Sequence, residues 1–273
     1  MSGLEAPSVA LIGAGAIGSA MVRGWIGAVR KGGGLTLTVV EPNFDPDLEV
    51  ELDAVGAVLN PPDPGPVDIL VFAIKPQSFA EAAATARKFV GPETRVLSVM
   101  AGVPIETLAR ELNVQRVVRA MPNTPGRIGH GVTGYVASQA CTDEDRGLVE
   151  QLLEPLGAVE PIAAERLMDV VTAVSGSGPA YVFLLAEVLA AAAEQEGLDK
   201  DTAMRLASRT VAGAGALMLE TGEAPGTLRK QVTSSGGTTE AALDVLAAPD
   251  GLGPLLRRAV AAAAQRSRDL GKR

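Results

Sequence analysis

Val9-Ala10-Leu11-Ile12-Gly13-Ala14-Gly15-Ala16-Ile17-Gly18-Ser19-Ala20-Met21 decides the fold. Four apolar residues make a short buried strand, three glycines at the spacing G-x-G-x-x-G make a turn, and a helical stretch follows. In that context Gly13 permits the tight turn, Gly15 lets a ligand come close to the backbone, and Gly18 lets the helix pack on the strand. The helix N-terminus then offers free N–H groups to a diphosphate. The stretch is expected to open a doubly wound α/β domain that binds a dinucleotide.

Outward from this stretch, short β-branched runs alternate with helical segments at Leu35–Val40, Ile69–Ile74, Val96–Val99 and Val117–Val118. Alternation of this kind predicts a parallel sheet covered by helices. After about Ile162 the β-branched runs stop, and helices are expected at 165–174, 179–196, 202–219, 239–246 and 254–270. The reading is two domains, a Rossmann-type unit over 1–162 and an all-helical unit over 163–273. Two of the later helices are apolar on nearly every face, as in Ala180-Tyr181-Val182-Phe183-Leu184-Leu185-Ala186. A small domain cannot cover such helices on all sides, so a second subunit is expected to bury them.

Composition narrows the function. A formal net charge of -8 and the want of a basic, aromatic-interleaved stretch argue against nucleic acid. The single cysteine, Cys141, rules out an internal disulfide, has no Cys or His beside it for a zinc site, and suits a reducing compartment. No metal site is expected. The apolar run before Gly13 is too short for a signal-peptide core, and the longest later runs are too short or interrupted by Glu187, so a cytoplasmic protein without a membrane span is expected.

The second strand closes on Glu41, whose carboxylate can accept hydrogen bonds from a ribose and would repel a 2′-phosphate. No Lys or Arg lies between Lys31 and Lys75. NADH is therefore favoured over NADPH, although backbone amides and Asn43 remain able to hold a phosphate. Beyond later strands lie Ala73-Ile74-Lys75-Pro76-Gln77 and Ala101-Gly102-Val103, expected to border the ribose and nicotinamide. Met121-Pro122-Asn123-Thr124-Pro125-Gly126 reads as a rigid turn after the last core strand, with Asn123 near the reactive end of the cofactor.

A second constellation, Val232-Thr233-Ser234-Ser235-Gly236-Gly237-Thr238-Thr239-Glu240, sets hydroxyls and glycines before an amphipathic helix, a combination suited to a small carboxylate. Ser177 and Pro179 read as the cap and first turn of the long apolar helix. The proton-donor inventory is thin. His130 reads as structural or solvated, and Tyr135 and Tyr181 have Gln139 and Leu185 where a lysine would stand in the tyrosine–lysine reductases. No lysine follows on the long helix before Lys200, as the β-hydroxyacid dehydrogenases would need. An iminium nitrogen already carries its proton, so imine reduction suits these residues best. A β-hydroxyacid-type or other imine-reducing dehydrogenase, and a dinucleotide sensor without chemistry, are the alternatives.

These motifs together resemble the pyrroline-5-carboxylate reductases, from Gly13–Gly18 through Lys75-Pro76-Gln77, Met121–Pro125 and Ser175–Tyr181 to Leu228–Thr239. The resemblance implies reduction of 1-pyrroline-5-carboxylate to proline by NAD(P)H, and a helical domain that interlocks with a second subunit, with decamers known in the family. It further implies that Ser234 and the backbone of Gly236, Gly237 and Thr238 hold the substrate carboxylate while the Thr239 hydroxyl bonds the ring nitrogen. Ser235 departs from the proline that the family commonly has there, and Glu41 from its usual Ser or Asn.

Overall fold

The computed structural model describes residues 6–32 and 34–271; residues 1–5 and 272–273, the outer ends of the two expected domains, lie outside that range. The chain divides into two compact units, Met1–Gly176 with Ala264–Arg273, and Ser177–Ala263.

The first unit is an eight-stranded sheet in the order β3-β2-β1-β4-β5-β6-β7-β8. Strands β1 (Ser8–Ile12), β2 (Thr36–Val40), β3 (Val58–Leu59), β4 (Ile69–Phe72), β5 (Arg95–Ser98) and β6 (Val117–Met121) run parallel. Alternation along β1 separates two cores. Val9 and Leu11 join Met21, Val22 and Trp25 of α1 (Ala16–Arg30), whereas Ala10 and Ile12 face Phe79 and Ala83 of α3 (Phe79–Ala86) and Leu108 of α4 (Ile105–Leu112). Both faces of the sheet are thus covered, as β-strands with continuous apolar runs require. The remaining helices of this layer are α2 (Pro46–Asp53) and α5 (Asp143–Leu153). The expected Rossmann-type sheet is present.

Strand β6 is not the last. The chain turns back at Thr124–Ile128 into β7 (Gly131–Ala137), antiparallel to β6, and then adds β8 (Gly157–Pro161) parallel to β7. Glycines hide β7 from a propensity reading, and each is enforced by a neighbour. A Cβ on Gly131 would fall 2.6 Å from the Gly126 nitrogen, and one on Gly134 would fall 2.7 Å from Val171 Cγ1. That second contact explains why the first unit extends beyond the expected boundary at 162. Here α6 (Met168–Val171) packs on β7, and the following Thr172–Gly176 winds as a π-helical turn.

The second unit is all helical: α7 (Gly178–Gln195), α8 (Lys200–Thr221), α9 (Pro225–Gln231), α10 (Thr238–Leu246) and most of α11 (Leu252–Gly271). Helices α7 and α8 meet through small residues, Ala190, Ala193, Ala203 and Ala207. Most of their large apolar side chains stay uncovered within the chain, including Phe183 at 60% exposure and Leu206 at 54%. The π-turn runs straight into α7, so Ser177 is helical at φ -88° and ψ -20° and makes no capping bond, contrary to its expected role. Because of that continuity the helical stretch Glu165–Gln195 is, by length and composition, long and apolar enough to cross a membrane, which the apolar run of α7 alone does not suggest.

Candidate active site

Register sets the cofactor edge of the first unit. Ile12 pairs with Val40 and Phe72, and Phe72 with Ser98, so the loops that follow β1, β2, β4 and β5 leave the sheet at one level. Backbone bonds carry the ladder a residue further: Gly13 N–H donates to Val40, Ala73 N–H to Ile12, and Val99 N–H to Phe72. Strand order reverses direction between β1 and β4, and open α/β sheets bind ligands beyond the carboxyl ends at such a reversal. Gly13–Gly18, Glu41, Asn43, Ala73-Ile74-Lys75-Pro76 and Ala101-Gly102 all lie on this edge.

The three glycines of the turn have different causes. Gly13 has φ +95°, and a Cβ there would sit 2.5 Å from Ile74 Cγ2. A Cβ on Gly18 would lie 2.2 Å from the Gly13 carbonyl oxygen. These two are explained by protein packing. Gly15 is not, since a Cβ there meets nothing within 4 Å. Gly15 is also the N-cap of α1, with no side-chain cap and no acid in the first turn. Open space above an uncapped, acid-free helix start fits a diphosphate.

Glu41 is held by two backbone amides. Its carboxylate accepts from Ala14 N–H at 2.8 Å and from Asn43 N–H at 3.0 Å. Asn60, a left-handed residue with φ 43°, accepts from Glu41 N–H at 3.0 Å and donates to the Glu41 carbonyl at 2.9 Å. Asn60 was not visible as a site residue, because nothing in Leu59-Asn60-Pro61 distinguishes it from an ordinary turn. Asn123 also has its amide engaged. It accepts from Val132 N–H at 3.0 Å and donates to Ser175 Oγ at 3.3 Å, tying the end of β6 to the start of β7 and to the π-turn. Lys75 is exposed at the start of the turn after β4, and His130 is exposed in the connection between β6 and β7.

In the second unit, Ser234, Ser235, Gly236 and Gly237 form a β-turn closed by Gly237 N–H donating to Ser234 carbonyl at 3.0 Å. Gly236 has φ +70°, and Ser235 is not among the residues with positive φ, which makes the turn type II. Gly236 N–H donates to the Glu240 carboxylate at 2.6 Å. The amides of Gly236 and Gly237 thus both donate within the loop. The donors left open are those of the first turn of α10, Thr238 and Thr239, whose N-cap Gly237 supplies no side chain. A Cβ on Gly237 would fall 2.5 Å from Ser234 Oγ. The hydroxyls of Ser234, Ser235, Thr238 and Thr239 make no hydrogen bond among the described residues, so none serves as a helix cap. Hydroxyls and helix-start amides left unpaired in one loop are donors open to a small anion.

Fold and loops together define a two-unit nicotinamide-dinucleotide oxidoreductase of the Rossmann type. Residues 165–270 match a family model described as pyrroline-5-carboxylate reductase dimerisation. The chain is 36% identical over 273 residues to a pyrroline-5-carboxylate reductase of Methanosarcina acetivorans, covering 99% of this chain and 100% of that one. One from Pisum sativum is 33% identical over 266 residues, 96% of each chain. The solved structure of a pyrroline-5-carboxylate reductase from Coxiella burnetii superposes with a TM-score of 0.87 at 32% identity, covering 97% of this chain and 98% of that one. The chain belongs to the pyrroline-5-carboxylate reductase family.

Proposed function

We propose that this chain reduces the C=N bond of 1-pyrroline-5-carboxylate to give proline. The observation that carries the reading is the loop Ser234–Thr239, where hydroxyls and helix-start amides stand unpaired in a chain akin to the family over its whole length. The substrate carboxylate is held by Ser234 Oγ and the N–H groups of Thr238 and Thr239, and the Thr239 hydroxyl bonds the ring nitrogen. A nicotinamide dinucleotide, held at Gly13–Gly18, Glu41 and the loops after β4 and β5, supplies the hydride when bound. The hydride adds to the imine carbon, and the C=N electron pair moves onto a nitrogen that already carries its proton, so no strong acid is needed. The protein supplies orientation and electrostatics.

NADH is the preferred donor in this proposal. A carboxylate fixed at the end of β2 by two amides cannot swing away from a 2′-phosphate, and the sequence between Lys31 and Lys75 has no cation to offset it. The exposed apolar side chains of α7 and α8 are covered by a second copy of the chain, since the matched dimerisation region contains both helices. Burial against that partner would also account for the apolar stretch Glu165–Gln195 without a bilayer, and the enzyme is read as a cytoplasmic homodimer that can assemble further, towards a decamer.

A steady-state assay with pyrroline-5-carboxylate and each dinucleotide in turn tests the reaction and the donor together. Oxidation of NADH at the lower KM is expected. Dinucleotide binding with no oxidation on adding the imino acid would favour a sensor instead. Sedimentation gives the assembly, and a stable monomer would overturn the buried-helix reading.

A further inference from the structure

We propose that Glu240 is a positioning residue for the substrate loop, locking the central peptide of the Ser234–Gly237 turn; the inference rests on the substrate reading given above. Types I and II turns differ mainly by rotation of the peptide between the two central residues, which moves ψ of the first from about -30° to +120° and φ of the second from about -90° to +80°. In this loop the rotating group is the Ser235–Gly236 peptide, and its N–H is the one that Glu240 clasps at 2.6 Å. The closing bond from Gly237 N–H to Ser234 carbonyl is common to both turn types and so cannot choose between them. Glu240 chooses. An amide bonded to an ionised carboxylate is held more tightly than one bonded to a neutral acceptor.

The lock acts on the groups that meet substrate. Ser234 opens the turn, and its Oγ lies against Gly237, whose missing Cβ would fall 2.5 Å from it. Thr238 and Thr239 follow directly as the first residues of α10. Flipping the Ser235–Gly236 peptide leaves the chain path nearly unchanged but turns the Ser235 carbonyl oxygen to the side where the Gly236 N–H now faces Glu240, so an acceptor replaces a donor beside the helix start that meets the substrate carboxylate. Glu240 sits three residues after the N-cap Gly237, where a capping-box acid ordinarily bonds the N-cap amide. Here it reaches one residue further back, because the Gly237 amide is already used to close the turn. Position 235 bears on the same restraint, since proline suits the first central position of a type II turn and fixes φ there without help from Glu240.

The experiment is a comparison of E240A, E240Q and S235P/E240A in the full-length enzyme. E240A should raise KM for pyrroline-5-carboxylate by about tenfold, with KM for the dinucleotide unchanged. E240Q, which keeps an acceptor and loses the charge, should raise it less. S235P/E240A should recover most of the loss. Amide exchange at Gly236, followed by hydrogen–deuterium exchange, should quicken in E240A. An unchanged substrate KM together with unchanged Gly236 exchange would overturn the proposal. A fall in KM in both E240A and E240Q would also overturn it, showing that the carboxylate competes with an anionic substrate. Should the native chain fail to turn over pyrroline-5-carboxylate, the functional reading falls, while Gly236 exchange still decides whether Glu240 locks the turn.

Discussion

The glycine loop of the first unit and the hydroxyl loop of the second solve one problem in two ways. Each ends in a glycine N-cap without a side chain, Gly15 on α1 and Gly237 on α10, so each leaves helix-start amides open. They differ in charge and in how their shape is kept. The first turn of α1 has no acid, and its geometry is enforced by close packing, with Gly18 against the Gly13 carbonyl and Gly13 against Ile74. The first turn of α10 contains Glu240, and its geometry is enforced by a hydrogen bond. A helix start without an acid suits the two charges of a diphosphate, and one tempered by Glu240 suits a single carboxylate.

Substitutions can break the comparison at either loop. The largest effect is expected for Gly18→Ala. Its Cβ would stand 2.2 Å from a backbone oxygen, so α1 must shift from β1. A loss of about 1–3 kcal/mol of stability and about 10–100-fold in dinucleotide affinity is expected, read by thermal unfolding and by titration of the dinucleotide. Next comes Thr239→Ala, expected to lower turnover at least about tenfold while dinucleotide binding is kept, since a hydrogen bond to a charged nitrogen contributes about 1.5–3 kcal/mol. Unaltered turnover would remove Thr239 from its assigned part. Gly15→Ala should leave the melting temperature where it is, because the new methyl meets no protein atom, and should weaken the dinucleotide by about tenfold. Equal loss of stability in Gly15→Ala and Gly18→Ala would erase the distinction between a glycine kept for packing and one kept for a ligand. The smallest effect belongs to Glu41→Ser, a severalfold shift of the KM ratio towards NADPH on the order of 1 kcal/mol. No shift would mean that Glu41 serves only to anchor Ala14 and Asn43.

The same contrast explains what the sequence showed and what it withheld. Close packing leaves a mark in residue type, because only glycine tolerates the positions of Gly13 and Gly18, and the cofactor edge was legible for that reason. Strands with periodic apolar runs, β1, β2, β4, β5 and β6, were legible too. Strand β7 was not, because Gly131 and Gly134 serve close contacts with Gly126 and Val171 that no alternation of apolar residues records. Strand β8 ends in Pro161 at the sheet edge, where few ladder bonds are needed, and β3 is two residues long. In the second unit the loop itself was legible from its hydroxyls, but the choice among its amides was not. Whether Gly236, Gly237 or Thr238 keeps a free N–H depends on which carbonyl or carboxylate folds back, and three adjacent amides look alike in sequence. The spacing from Gly237 to Glu240 carried the one available hint, a helix-start acid at the third position.

The division of the chain has a consequence for the order in which the protein is made. The helical unit, 177–263, is interposed between two segments of the first unit, and the later segment holds Ser267, whose hydroxyl donates to Asp169 at 2.6 Å. Synthesis runs from the N-terminus, so α7 and α8 emerge, with Phe183 and Leu206 uncovered, before the residues that complete the dinucleotide unit leave the ribosome. During that interval a nascent chain presents its stickiest surface while its first unit still lacks its final turns. Polysomes that bring two such chains close together would give that surface its proper partner early, and pairing would then precede completion of either cofactor-binding unit.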